Sequence, residues 1–98
     1  MKLMGMSKLA GLARLAGGDL DGAVPALVAE LEAGAWHSMA EVADYFPASR
    51  IAGFKVRIAL GDDYRVDLLV DCEAQMILIE YAGARSGMRA GKKGSKAA

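Results

Sequence analysis

The feature that most constrains this chain is a strict two-residue alternation from Phe54 to Val70. Phe54, Val56, Ile58 and Leu60 alternate with Lys55, Arg57 and Ala59. After Gly61-Asp62-Asp63, Tyr64, Val66, Leu68 and Val70 alternate with Arg65, Asp67 and Leu69. Successive side chains of a strand point to opposite faces, so this pattern predicts two strands, each apolar on one side. The three residues between them have the composition of a short hairpin turn.

Asp71-Cys72-Glu73-Ala74 is a second turn. It leads into a nearly continuous apolar run, Met76 to Ala82, which predicts a strand covered on both faces and ended by Gly83. Upstream the period changes. Leu9, Leu12, Ala13 and Ala16 recur at helical spacing, and Gly17-Gly18 stops them. Asp19 and Asp21 suit a helix start, Pro25 fits a first turn, and Leu27, Val28, Leu31 and Ala35 form one apolar face up to about Gly34. After Trp36 and His37, Ser38-Met39-Ala40-Glu41 is a capping box, in which a serine and a glutamate each satisfy an orphan amide. Val42, Tyr45 and Phe46 give that short helix an apolar side, and Pro47 closes it.

Helices first and strands afterwards imply an α+β domain, with N-terminal helices packed on one face of a three- to four-stranded antiparallel sheet. The 98 residues allow one domain, here residues 1–88, with 89–98 expected to be a basic, disordered tail. At 54% apolar residues the chain has the material for a core. With one cysteine, Cys72, it cannot form an internal disulfide, which fits a reducing cytoplasm. No apolar run is long enough to span a bilayer, and the N-terminal stretch is too interrupted for a secretory core.

The formal net charge is zero, but the charges are segregated. Acids alone occupy the stretch from Leu15 to Ser49, and bases alone the stretch from Arg85 to Ala98. A basic segment points to a polyanion such as RNA, or to a solvated tail. Lys55, Arg57 and Arg65 share the polar face of the hairpin, where like charges repel at cross-strand distances. Two readings fit that face: a solvent face neutralised by Asp67 and Glu80, or a surface that binds an anion. One histidine, His37, and Cys72 are too few for zinc and carry no local nucleophile signature. No glycine pattern matches a phosphate loop or a dinucleotide fingerprint. No metal and no cofactor is expected.

The stretch from Trp36 to Gly83 resembles the HigB toxins of the RelE-like mRNA interferases. The residues that carry the resemblance are Trp36, the capped helix Ser38 to Phe46, the extended Arg50 to Gly53, and the motif Gly61-x-x-Tyr64-Arg65 between its two strands. The acidic turn and the apolar third strand ending at Gly83-Ala84-Arg85 complete it. The resemblance implies a RelE-like fold and a ribosome-associated endoribonuclease that cleaves mRNA through 2′-OH attack on the adjacent phosphate. It also implies a HigA-like helix-turn-helix antitoxin as partner.

Carried over by position, Arg57, Arg65 and Arg85 take the catalytic roles, and Lys55 lies with Arg57 in the basic first strand. Lys55, Arg89, Lys92 and Lys93 are the expected RNA contacts. The chain departs from the family's pattern in two places: Ala84-Arg85 stands where the family has Thr-His, and Glu80 where a basic residue is common. Arginine stabilises developing phosphate charge but is a poor proton carrier. The alternative is a catalytically lapsed fold that binds RNA or protein.

Overall fold

The computed structural model describes residues 1–85. The tail residues 89–98, including Arg89, Lys92 and Lys93, lie outside the described residues. Strand β1 (Lys2–Met4) leads into helix α1 (Met6–Ala16), a short 3₁₀ turn (Gly17–Leu20), and helices α2 (Ala23–Ala33) and α3 (Met39–Tyr45). Strands β2 (Arg50–Ala52), β3 (Lys55–Leu60), β4 (Tyr64–Asp71) and β5 (Met76–Ala84) follow.

The sheet has five strands in the order β1-β5-β4-β3-β2, and β1 runs parallel to β5. It is therefore mixed, and larger than the three- to four-stranded antiparallel sheet expected from the sequence. The extra members are the two three-residue strands, β1 and β2. Segments that short carry no measurable alternation, so only their pairing defines them.

The chain turns from β1 into α1 at Gly5, whose φ of 83° is left-handed. A Cβ at Gly5 would come within 2.7 Å of the Ile79 carbonyl oxygen on β5, so this turn sits directly on the sheet.

The hairpin alternation holds through β3 and β4. Val56, Ile58, Val66, Leu68 and Val70 are buried, and they meet Leu9, Leu12, Leu27, Leu31 and Val42 from the helices in one core. The expected capping box forms with a shift. Ser38 Oγ accepts from the Glu41 amide at 3.2 Å, but Glu41 Oε1 reaches back to the His37 amide at 2.9 Å, one residue before the cap. Among the described residues no helix is long and apolar enough to cross a membrane.

The apolar run of β5 has a different explanation from double coverage. Ile77 and Ile79 are fully buried on the helix side, while Leu78 keeps 39% of its surface exposed on the other. The helices cover one face only, and the opposite face is open among the described residues.

Trp36 packs against Tyr45 and Phe46 at ring-centroid distances of 5.2 and 5.6 Å. Gly34 makes room for it: a Cβ there would fall 2.3 Å from the indole ring. We expect Gly34→Ala to displace the indole and destabilise the fold by about 1–3 kcal/mol, the range of overpacking. Denaturant unfolding followed by tryptophan fluorescence measures this, and an unchanged midpoint and emission maximum would contradict it.

Candidate nucleic-acid interface

The site lies on the open face and is built by strand register. Arg50 of β2 stands opposite Arg57 of β3, Arg57 opposite Asp67 of β4, and Asp67 opposite Tyr81 of β5. One row across four strands thus carries two bases, an acid and an aromatic. Lys55 lies in the neighbouring row, opposite Leu69.

A β-bulge adds a further acid. The pairing of β4 with β5 slips between Asp67, opposite Tyr81, and Leu68, opposite Ile79, so Glu80 has no partner. Ile79 and Ala82 both pack toward the core, and the two residues between them turn outward. Glu80 meets Lys55 (Nζ–Oε1 3.9 Å), and Tyr81 lies over Arg65, so both side chains stand on the open face. Bulges redirect side chains in this way. Together Arg50, Lys55, Arg57, Asp67, Glu80 and Tyr81 line a groove of about 730 Å³.

The electrostatics of the groove centre on Asp67. Its Oδ1 accepts from Arg57 Nε at 3.0 Å and lies 3.5 Å from Arg65 Nε. The second approach is an ion-pair contact without hydrogen-bond geometry, since Arg65 Nε and Nη2 have no hydrogen-bond partner among the described residues. Arg57 keeps about half its side chain in water (49%), whereas Arg65 is 5% exposed. Arg65 Nη1 donates to the Arg85 carbonyl, and its guanidinium lies 4.6 Å from the centre of the Tyr81 ring. Arg50 forms no ion pair among the described residues, so the like charges of Arg50 and Arg57, opposite one another in register, are only partly compensated.

The sequence-derived site residues therefore separate. Arg57 and Lys55 line the groove. Arg65 shares Asp67 with Arg57 but lies beneath Tyr81. Arg85 closes the end of the hairpin: its amide donates to the Asp63 carbonyl at 2.8 Å and its Nη1 to the Asp62 carbonyl at 3.2 Å. Arg50 and Tyr81 join the groove without having been singled out by sequence. Strict alternation from Ile77 and Ile79 would send Tyr81 to the core, and only the bulge reverses it.

Tyr64, of the motif, donates its hydroxyl to Asp19 Oδ2 at 3.3 Å. Desolvation and the Asp19 charge both raise its pKa. Where the start of α3 meets the turn between β4 and β5, the surface has a different character. Phe54, Leu69, Met39, His37 and Cys72 border a second depression of about 780 Å³. Burial, then the charges of Asp71 and Glu41, push the Cys72 thiol above its ordinary pKa. A raised thiol pKa keeps the sulfur protonated and unreactive at neutral pH. No cluster of three or more metal-ligating side chains occurs among the described residues.

No protein-family model matches the chain, and no curated protein is significantly similar to it.

Proposed function

We propose that this chain is the toxin component of a type II toxin–antitoxin system, a RelE-like endoribonuclease that cleaves mRNA on the ribosome. The observation that carries the reading is the basic row on a sheet face left open among the described residues, with Arg50 and Arg57 directly opposed as like charges near Lys55. A phosphodiester backbone relieves that repulsion, and an arginine fork contacts two phosphate oxygens at once. The resemblance running from Trp36 to Gly83 suggests the reaction, 2′-OH attack on the adjacent phosphate, and the partner, a HigA-like helix-turn-helix antitoxin.

The groove supplies groups for the attack: the 2′-O–P bond forms as the P–O5′ bond breaks, and the departing 5′-oxygen takes its proton from water, leaving a cyclic phosphate. Arg57 stabilises the developing phosphate charge. Glu80, delivered by the bulge, takes the 2′-OH proton as general base. Arg65 acts through Asp67 and Tyr81, which it holds in place, and Arg85 holds the end of the hairpin.

A second reading keeps the fold and the RNA but not the cleavage. Asp67 favours it, because it neutralises part of the charge of both Arg57 and Arg65. No histidine lies in the groove.

Induced expression separates the two readings. Growth arrest with fragmented mRNA is the toxin outcome; arrest or tolerance with intact transcripts is the binding outcome. Arg57→Ala is the sharper probe than Arg65→Ala, since Arg57 is half exposed and its loss leaves the core untouched. We expect Arg57→Ala to relieve the arrest at equal protein level. It should also lower the salt dependence of RNA binding by about one phosphate contact. Unchanged toxicity and an unchanged salt slope would remove Arg57 from the site.

A further inference from the structure

The ring of Tyr81 is held in one orientation by two contacts, and a glycine leaves it the room to lie there. Its hydroxyl donates to the Ala84 carbonyl, 2.7 Å away and three residues further along the same strand. The ring must therefore lie along β5 rather than stand away from the sheet. Gly83 leaves that lane open: a Cβ there would come within 2.8 Å of the hydroxyl and 3.1 Å of Cζ. Underneath is the Arg65 guanidinium, 4.6 Å from the ring centre, fixed in turn by the Arg85 carbonyl and Asp67. One ring face is thus filled by a buried cation. The ring also borders the groove that holds Arg50, Arg57 and Glu80.

An aromatic ring laid flat and immobilised before any ligand arrives loses little entropy on stacking. Arginines beside it stand where the backbone phosphates of a stacked nucleotide would run. This combination of a π-face and adjacent cations is how proteins hold single-stranded nucleic acid. In a duplex the base faces are already stacked on one another, so a single strand or an unpaired nucleotide is the form that fits.

We infer that Tyr81 is a stacking platform for one nucleobase of single-stranded RNA, with the flanking phosphates on Arg57 and Arg50. The inference rests on the RNA-groove reading above and adds the element that selects single strands. Arg65 is a positioning residue here: it fixes the plane of the ring and does not touch the RNA. Base identity is not read by stacking, so the platform accepts any base.

The test uses the whole chain and short 2′-O-methyl RNA, which cannot be cleaved by 2′-OH attack. The same oligonucleotide is also made abasic at every position, with its phosphates kept, and affinity is read by fluorescence anisotropy. The abasic strand should bind roughly tenfold to a hundredfold more weakly, the range of one base–aromatic stack. In Tyr81→Leu that base dependence should fall to within about twofold, and Tyr81→Phe should keep most of it. In the wild-type chain the Tyr81 ring protons should shift upfield in NMR spectra on titration, a readout independent of any variant's folding. If the abasic oligonucleotide binds as well as the intact one, or Tyr81→Leu keeps the base dependence, the platform is overturned while the groove stands. If no RNA of any kind binds the wild-type chain, the groove reading fails and the platform with it.

Discussion

Replacing Glu80 with glutamine is expected to slow mRNA cleavage by about 10²–10⁴-fold, the usual contribution of a positioned general base, with RNA affinity kept or improved. Glutamine has the size of the glutamate but cannot accept the 2′-OH proton. Glu80 is suited to the role by position. The bulge turns it outward beside Arg57 and Tyr81, and its one ion pair among the described residues, to Lys55 at 3.9 Å, is loose and partly in water. Pairs of that kind are worth about 0–1 kcal/mol, so the carboxylate is free to exchange its partner for a ribose hydroxyl. Removing a negative charge from a basic groove also reduces repulsion of the phosphates. Single-turnover cleavage of a defined mRNA, with binding measured in parallel on uncleavable RNA, separates the two effects. Equal cleavage by Glu80→Gln and wild type would assign proton transfer to another group. Weakened binding with unchanged chemistry would make Glu80 a structural contact.

The second large effect concerns Asp67. Asp67→Ala should cost about 3–5 kcal/mol of stability, because it leaves the Arg65 guanidinium buried at 5% exposure without its counter-charge. The same substitution frees Arg57 and makes the groove more positive, so RNA affinity should rise and its salt dependence steepen. Stability and affinity thus move in opposite directions. Arg57→Ala is the contrast: its ion pair with Asp67 is half exposed on the arginine side, and its loss should cost no more than about 1 kcal/mol. Replacing both Arg65 and Asp67 by apolar residues of similar volume should recover most of the lost stability, since an apolar pair leaves no buried charge unmatched. Urea unfolding of the single and double variants closes the cycle. A loss below about 1 kcal/mol for Asp67→Ala would show that the Arg85 carbonyl and the Tyr81 ring alone suffice to hold Arg65.

The hairpin of β3 and β4, the three helices and the capped start of α3 are legible in the sequence because each is a local matter. Alternation at Val56, Ile58, Val66 and Leu68 sets which face is buried, and Ser38 with Glu41 marks a helix start. Lys55 and Arg57 are therefore placed on the outward face by sequence alone. The short strands β1 and β2, the mixed sheet and the exposure of Leu78 among the described residues are not legible. They depend on which segments meet across long stretches of chain, and three residues contain no period.

The candidate site divides in the same way. Arg65 reads as one more outward base, yet the structure buries it, because Tyr81 of the neighbouring strand β5 lies over it. Tyr81 itself falls in the apolar run Met76 to Ala82, which reads as a strand covered on both faces. One unpaired residue in β5, created only by the register against β4, turns it to the groove together with Glu80. The sequence by itself determined a basic, half-buried hairpin backed by helices. Which acid and which ring complete the groove was decided by a single bulge, since pairing between strands, unlike alternation within one, is a property of the assembled sheet.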